Sequence, residues 1–249
     1  MCIRDRLPIV ETPRYELTLP SSDVKVQYRP FLVKEEKILY IALESGDEQQ
    51  MQSATKDILK SVTYNKIDVE TLPTFDVEYI FLQVRAKSVG EVAKFKIICP
   101  DDKSTYGDVE VDISKVEVQV DDAHSNDIIL DEKRKLGVVM KYPNMKVLYD
   151  KQGIKALKYE DVIKLIIGCV DYIYEGEKNY PTSESTQEEL KEFFENLSQD
   201  QFAKIRKFFD TMPKLRHETK VKNPKTGVES KITFSGLQDF FGLASPTTA

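Results

Sequence analysis

Residues 159–174 read Tyr-Glu-Asp-Val-Ile-Lys-Leu-Ile-Ile-Gly-Cys-Val-Asp-Tyr-Ile-Tyr, the most apolar stretch of the chain. Taken as one helix, Val162, Ile163, Leu165, Ile166, Ile167, Cys169, Val170 and Ile173 leave it hardly any polar face. A helix of that kind must be covered nearly all round. The segment is therefore expected to form the buried centre, around Val162, Ile166, Cys169, Val170 and Ile173. Its flank, residues 175–183, is polar and reads as a loop.

Working outward toward the carboxyl end, two short helices are expected over residues 186–197 and 198–211. In the second, Ser198 and Gln201 have capping-box spacing, and Pro213 ends it. His217, Thr219 and Val221 then lead into Asn223-Pro224-Lys225-Thr226-Gly227, and Val228, Ile232 and Phe234 run back as a hairpin. Leu237, Phe240 and Phe241 form a last amphipathic turn.

Toward the amino end, residues 91–143 alternate apolar and polar positions in short runs. Phe95, Ile97 and Ile98 meet the turn Cys99-Pro100-Asp101-Asp102, and Val109, Val111 and Ile113 return. Further short strands are expected at Val116 to Val120, Ile128 to Leu130 and Gly137 to Tyr142, making one small antiparallel sheet. Before it, helical periodicity predicts three helices over residues 31–88: one stopped by Ser45-Gly46, one capped by Asp47, and one capped by Thr74 and closed by Gly90. The chain opens on a hairpin, with Tyr15, Leu17 and Leu19 opposite Val24, Val26 and Tyr28 about the turn Pro20-Ser21-Ser22-Asp23. The fold class is α+β, a mixed helical bundle with a small antiparallel sheet and β-hairpins. Three segments of one compact unit are expected: 1–90, 91–143 and 144–249.

The chain has 249 residues, 36 Lys and Arg against 42 Asp and Glu, and a net charge of −6. Hydrophobic residues at 41% and charged residues at 31% suit a water-facing surface over a real core. No apolar run approaches the roughly 18 residues of a spanning helix, and the amino end has no signal-peptide stretch. Three cysteines make no disulfide framework, so reduced thiols and an intracellular setting are expected. A mildly acidic chain without a basic tract is a poor match for nucleic acid.

Catalytic patterns are missing at the level of sequence. The two histidines, His124 in a polar loop and His217 at a strand start, have no nucleophile at a useful spacing. Both read as solvated or edge residues. The glycines never form a phosphate-cradling loop. Asp101-Asp102 and Asp121-Asp122 read as solvated turn acids, since Lys103 breaks the calcium-loop pattern. Cys99-Pro100 begins like a zinc knuckle, but Asp102 stands where a second cysteine belongs. Asn223 to Gly227 has the same shape with both cysteines replaced. No metal and no cofactor are therefore expected, and Cys99 should behave as an ordinary turn cysteine.

Three phenylalanine doublets remain: Phe193-Phe194, Phe208-Phe209 and Phe240-Phe241. Neighbours on a helix diverge by about 100°, so both rings need not face one core. One ring of each pair is a candidate partner contact, against the alternative that neighbouring helices cover both.

Several segments carry a resemblance. These are residues Tyr28 to Lys37, Leu72-Pro73-Thr74-Phe75-Asp76, Arg85 to Glu91, Cys99-Pro100, Gly137 to Pro143, Phe208 to Leu215, and Leu237-Gln238-Asp239-Phe240-Phe241. In order and spacing they resemble the baseplate hub protein family of T-even-like tailed bacteriophages, from about Leu7 to Gly242; Met1 to Arg6 lies outside the pattern. Family members often carry cysteine knuckles in the hairpins, and this chain departs there. The resemblance implies a late, non-enzymatic protein needed to build the tail baseplate hub. It would be found in the host cytoplasm during assembly and in the virion tail baseplate. It implies either a structural hub subunit or an assembly chaperone absent from the mature virion. The partners implied are other phage baseplate hub or tape-measure proteins, with no nucleic acid and no membrane.

Overall fold

A computed structural model describes residues 10–145 and 159–236; the turn expected at Leu237, Phe240 and Phe241 lies outside the described residues. Strand β1 (Tyr15–Thr18) pairs antiparallel with β2 (Lys25–Tyr28), as the alternation predicts. Helix α1 (Val33–Ser45) stops at Gly46, whose φ of 62° is left-handed. Helix α2 (Glu48–Val62) starts on Asp47, whose carboxylate accepts the Gln49 N–H at 2.9 Å. Helix α3 (Thr74–Val89) takes Pro73, not Thr74, at its cap. Then come β3 (Val92–Ile98), β4 (Tyr106–Asp112), a 3-10 turn over Ile113–Lys115, β5 (Val118–Gln119), β6 (Asp127–Asp131) and β7 (Leu136–Met140). The carboxyl half runs α4 (Tyr159–Gly168), β8 (Val170–Glu175), β9 (Lys178–Pro181), α5 (Gln187–Glu195), α6 (Gln199–Thr211), β10 (Lys214–Lys222) and β11 (Glu229–Ser235).

Three cores result. The first lies among the β1–β2 hairpin and helices α1 to α3. The second lies between the sheet β6-β7-β8-β9 and helices α4 to α6. The third joins the β3–β4 hairpin to the sheet β11-β10-β5. The single small sheet expected over 91–143 is thus distributed among three sheets, because β5 pairs with β10 and β7 pairs with β8.

The stretch 159–174 is not one helix. Helix ends at Gly168, and Val170-Asp171-Tyr172-Ile173-Tyr174 becomes β8, with Lys141 N–H donating to the Cys169 carbonyl at 2.7 Å. β-Branched and aromatic residues fit a pleated surface better than a helix, and glycine weakens a helix just where the change occurs. Burial follows the expectation more closely: Ile166, Cys169, Val170 and Ile173 are buried, and Val162 is half-buried. Glu160 and Lys164 keep a wet side on α4. The expected loop 175–183 also holds strand β9.

The helix covered nearly all round is α3. Val77, Ile80, Phe81 and Val84 belong to the first core, and Leu82 and Ala86 to the third. Its first turn also ties to the second core's edge, where the Thr74 N–H donates to the Pro143 carbonyl at 3.1 Å.

Candidate partner-binding groove

Helix α5 is set by its cap. Thr186 Oγ1 accepts the Glu189 N–H at 3.2 Å, and the Glu189 carboxylate accepts the Thr186 N–H at 2.8 Å. That start places Leu190 and Phe194, four residues apart, on the second core, where both are buried. Phe193 turns to one side and stays half-buried, its ring edge-on to Phe194 at 5.5 Å between centroids. Beside it Glu189, Glu192 and Asn196, at spacings of three and four, make a polar stripe.

Between this flank of α5 and strands β7 to β9 opens a groove of about 710 Å³. Leu136, Ile173, Leu190, Phe193 and Leu197 give it an apolar lining. Among the described lining residues, four glutamates, Glu175, Glu184, Glu189 and Glu192, accompany one cation, Arg134. That cation is occupied: its Nε and Nη2 donate to Glu175 Oε1 at 3.0 and 2.8 Å. Glu189 is held below the usual carboxylate range by the backbone N–H and hydroxyl of Thr186. Glu184 and Glu192 are exposed and make no ion pair among the described residues. The groove is apolar inside and negative at the rim.

The second doublet is divided in the same way. Phe208 is 2% exposed in the core, whereas Phe209 is half-buried and edge-on to it at 5.1 Å. Helix α6 begins with the predicted capping box, Ser198 with Gln201. Phe240 and Phe241 lie outside the described residues. In the last hairpin, β10 is interior to the order β11-β10-β5, so among the described residues β11 is an edge strand.

His124 is not a solvated loop residue. Its Nδ1 lies 3.0 Å from Thr211 Oγ1, and its Nε2 lies 3.1 Å from both Asn126 Oδ1 and the Tyr142 hydroxyl. The ring stacks on Tyr142 at 5.6 Å and meets Phe208 at 5.1 Å. Burial pushes its pKa below the ordinary value, against the opposing pull of Asn126 and Asp121. Tyr142 in turn meets Phe75 edge-on at 5.0 Å, so the cluster joins the second core to the start of α3. Apart from Asn126, two residues on, its partners come from distant chain positions, which the local polar sequence could not indicate. His217 is half-buried on β10.

The two knuckle-like turns face each other. Asn223 Nδ2 donates to both carboxylate oxygens of Asp101 at 3.0 Å, and the Thr226 hydroxyl donates to Asp101 Oδ2 at 2.6 Å. Asp101 is exposed, as expected of a turn acid, but it also clamps the second turn. Asp102 closes its own turn, accepting the Thr105 hydroxyl and the N–H groups of Thr105 and Ser104, which hold it well below the usual carboxylate range. Gly107 permits the approach: a Cβ there would run into Val221 and come within 2.9 Å of the Lys222 carbonyl. Cys99 lies in this contact, fully buried in the third core, rather than as the ordinary turn cysteine expected. It shares that core with Val109 and Val111 of β4 and Val221 of β10, which the turn sequence alone did not indicate.

Burial pushes the Cys99 thiol up, and the Cys169 thiol up to about 12, so neither is poised as a nucleophile. Among the described residues no group of three or more His, Cys, Asp or Glu is placed to hold a metal ion. None of the described helices is long and apolar enough to cross a membrane.

No curated protein and no solved structure matches the chain. A family model described as T4 bacteriophage base plate protein matches residues 12–242, which include all three cores and the groove. The chain thus belongs to the T4 bacteriophage base plate protein family.

Proposed function

We propose that this baseplate-family chain is a non-enzymatic structural subunit of the baseplate hub. It works by binding other hub or tape-measure proteins through its carboxyl-terminal third. Assembly would take place in the host cytoplasm, with the protein then retained in the virion tail. The observation that carries this reading is the groove beside α5, where Phe193 and Leu197 line an apolar recess that stays open. Aromatic residues in such recesses dominate protein interfaces. Phe209, the less covered ring of the second doublet, and the edge strand β11 supply further contact surface in the same third.

The alternative, a chaperone that leaves before the tail is complete, would be favoured by a long apolar helix offered to a client. The segment that looked like one divides into α4 and β8, and both are core. This supports the subunit reading. Purified tails test it: the protein should be present in a fixed ratio to other hub chains, and its absence from tails that needed it for assembly would favour the chaperone. Phe193→Ser and Phe209→Ser should stop tail assembly while the isolated protein stays folded.

A further inference from the structure

Two properties of the groove restrict what can fill it. The lining of Ile173, Leu190, Phe193 and Leu197 asks for apolar side chains, since only these regain what the lining loses on leaving water. The rim asks for positive charge. Glu184 and Glu192 have no cation among the described residues, and Arg134 is already bound to Glu175. A purely apolar segment would desolvate these carboxylates without pairing them, which is costly. A phosphate-bearing or acidic segment would meet like charge at close range. A second copy of this chain, with net charge −6, is poorly matched for the same reason.

We infer that the groove docks an amphipathic segment of a partner tail protein in which Lys or Arg residues flank a short apolar run. The apolar residues sit against Phe193 and Leu197, and the cations meet Glu184 and Glu192 at the rim. Charge gives the docking its orientation and its association rate, and both weaken as salt screens the rim. The inference rests on the proposed partner-binding reading and adds the chemistry of the partner.

The test uses the purified full-length protein and an array of short peptides tiled through the hub and tape-measure proteins of the same phage. Retained peptides should be net positive, carry at least two large apolar side chains, and lose retention as salt is raised. The double variant Glu184→Lys/Glu192→Lys, altered only at exposed positions, should fold normally and bind those peptides about tenfold more weakly or worse. Tail assembly in infected cells is scored alongside for this variant and for Phe193→Ser. Neutral or acidic retained peptides, an empty array, or a double variant that binds like the parent overturns the inference. If Phe193→Ser folds yet blocks assembly while the double variant assembles normally, the carboxyl-terminal reading stands and the basic partner does not. If both variants assemble tails at the parent level, both fall.

Discussion

In the first core, Arg29 Nη2 meets Glu35 Oε1 at 2.9 Å, with the two side chains only 9% and 2% exposed. Ser61 on α2 hydrogen-bonds both partners at 3.0 Å, and Leu32 N–H donates to Glu35 at 2.8 Å. Burial alone would raise the Glu35 pKa; Arg29, Leu32 and Ser61 together hold it below its ordinary value. The buried carboxylate of Asp76 likewise takes the backbone N–H and hydroxyl of Ser21, fixing the first hairpin to α3. The second core is built otherwise. Among the described residues, none of the buried charged side chains belongs to it, and Phe194, Phe208 and a set of isoleucines fill it instead. Directional bonds hold the helices of the first core in one arrangement. Non-directional packing in the second leaves an opening beside α5, with its charges confined to the rim. The difference separates a region held by directional bonds from a region that keeps an open recess, which is where the proposed partner would bind.

The largest expected effect would break the first half of that comparison. Arg29→Ala leaves the buried Glu35 with only the exposed Lys34, 3.7 Å away, and should cost about 3–5 kcal/mol in chemical denaturation. The paired change Arg29→Met/Glu35→Leu should recover most of this; equal losses in both variants would mean that packing, not charge, holds the region. Next comes Ile166→Ala in the second core, which should cost about 2–5 kcal/mol through the cavity it leaves. A cost below about 1 kcal/mol would show a core loose enough to collapse, and the two regions would differ in order as well as in chemistry.

A smaller effect concerns the junction at His124. Its folded-state pKa lies below the ordinary 6.5, so the unfolded chain takes up the proton first. The histidine's contribution is present in full above pH 6.5 and is lost as pH falls from there toward the folded value. Thermal melts across that window should show a decline that His124→Gln removes. A parent and variant with identical pH profiles would contradict the assignment. The smallest expected effect is none at all: a strong chelator should leave the melting temperature unchanged, because the Asp101–Asn223–Thr226 contacts hold the two turns together. A drop of several degrees would mean that a metal does so.

Much of the fold was legible where the signal is local. Alternation about Pro20 to Asp23 and about Asn223 to Gly227 identified the first and last hairpins, and Asp47 and Ser198 marked two helix starts through their own side chains. Residues 159–174 were misread because a short run that is apolar throughout has no period to separate a buried strand from a helix. Gly168 and the alternation after it were the available signs. The near-complete covering of helix α3 was not legible because its second side is covered by the 3-10 turn Ile113–Lys115 and by β10, elements that no local pattern ties to it. The candidate site was half legible. The division of each described doublet into one core ring and one partly covered ring follows from helical geometry. The groove requires β7 to β9 to meet α5, and no local pattern announces that Glu184 and Glu192 share a rim.

The most direct test compares the two regions inside an infected cell. A photo-crosslinking residue placed at Asn196, on the groove rim, should join the protein to a hub or tape-measure chain during tail assembly. The same residue at Ile41, on the 52% exposed outer side of α1, should not. Crosslinks to tail proteins from position 196 alone are the predicted result. Crosslinks from position 41 with none from 196 would place the partner on the amino-terminal helices and contradict the assignment of the groove.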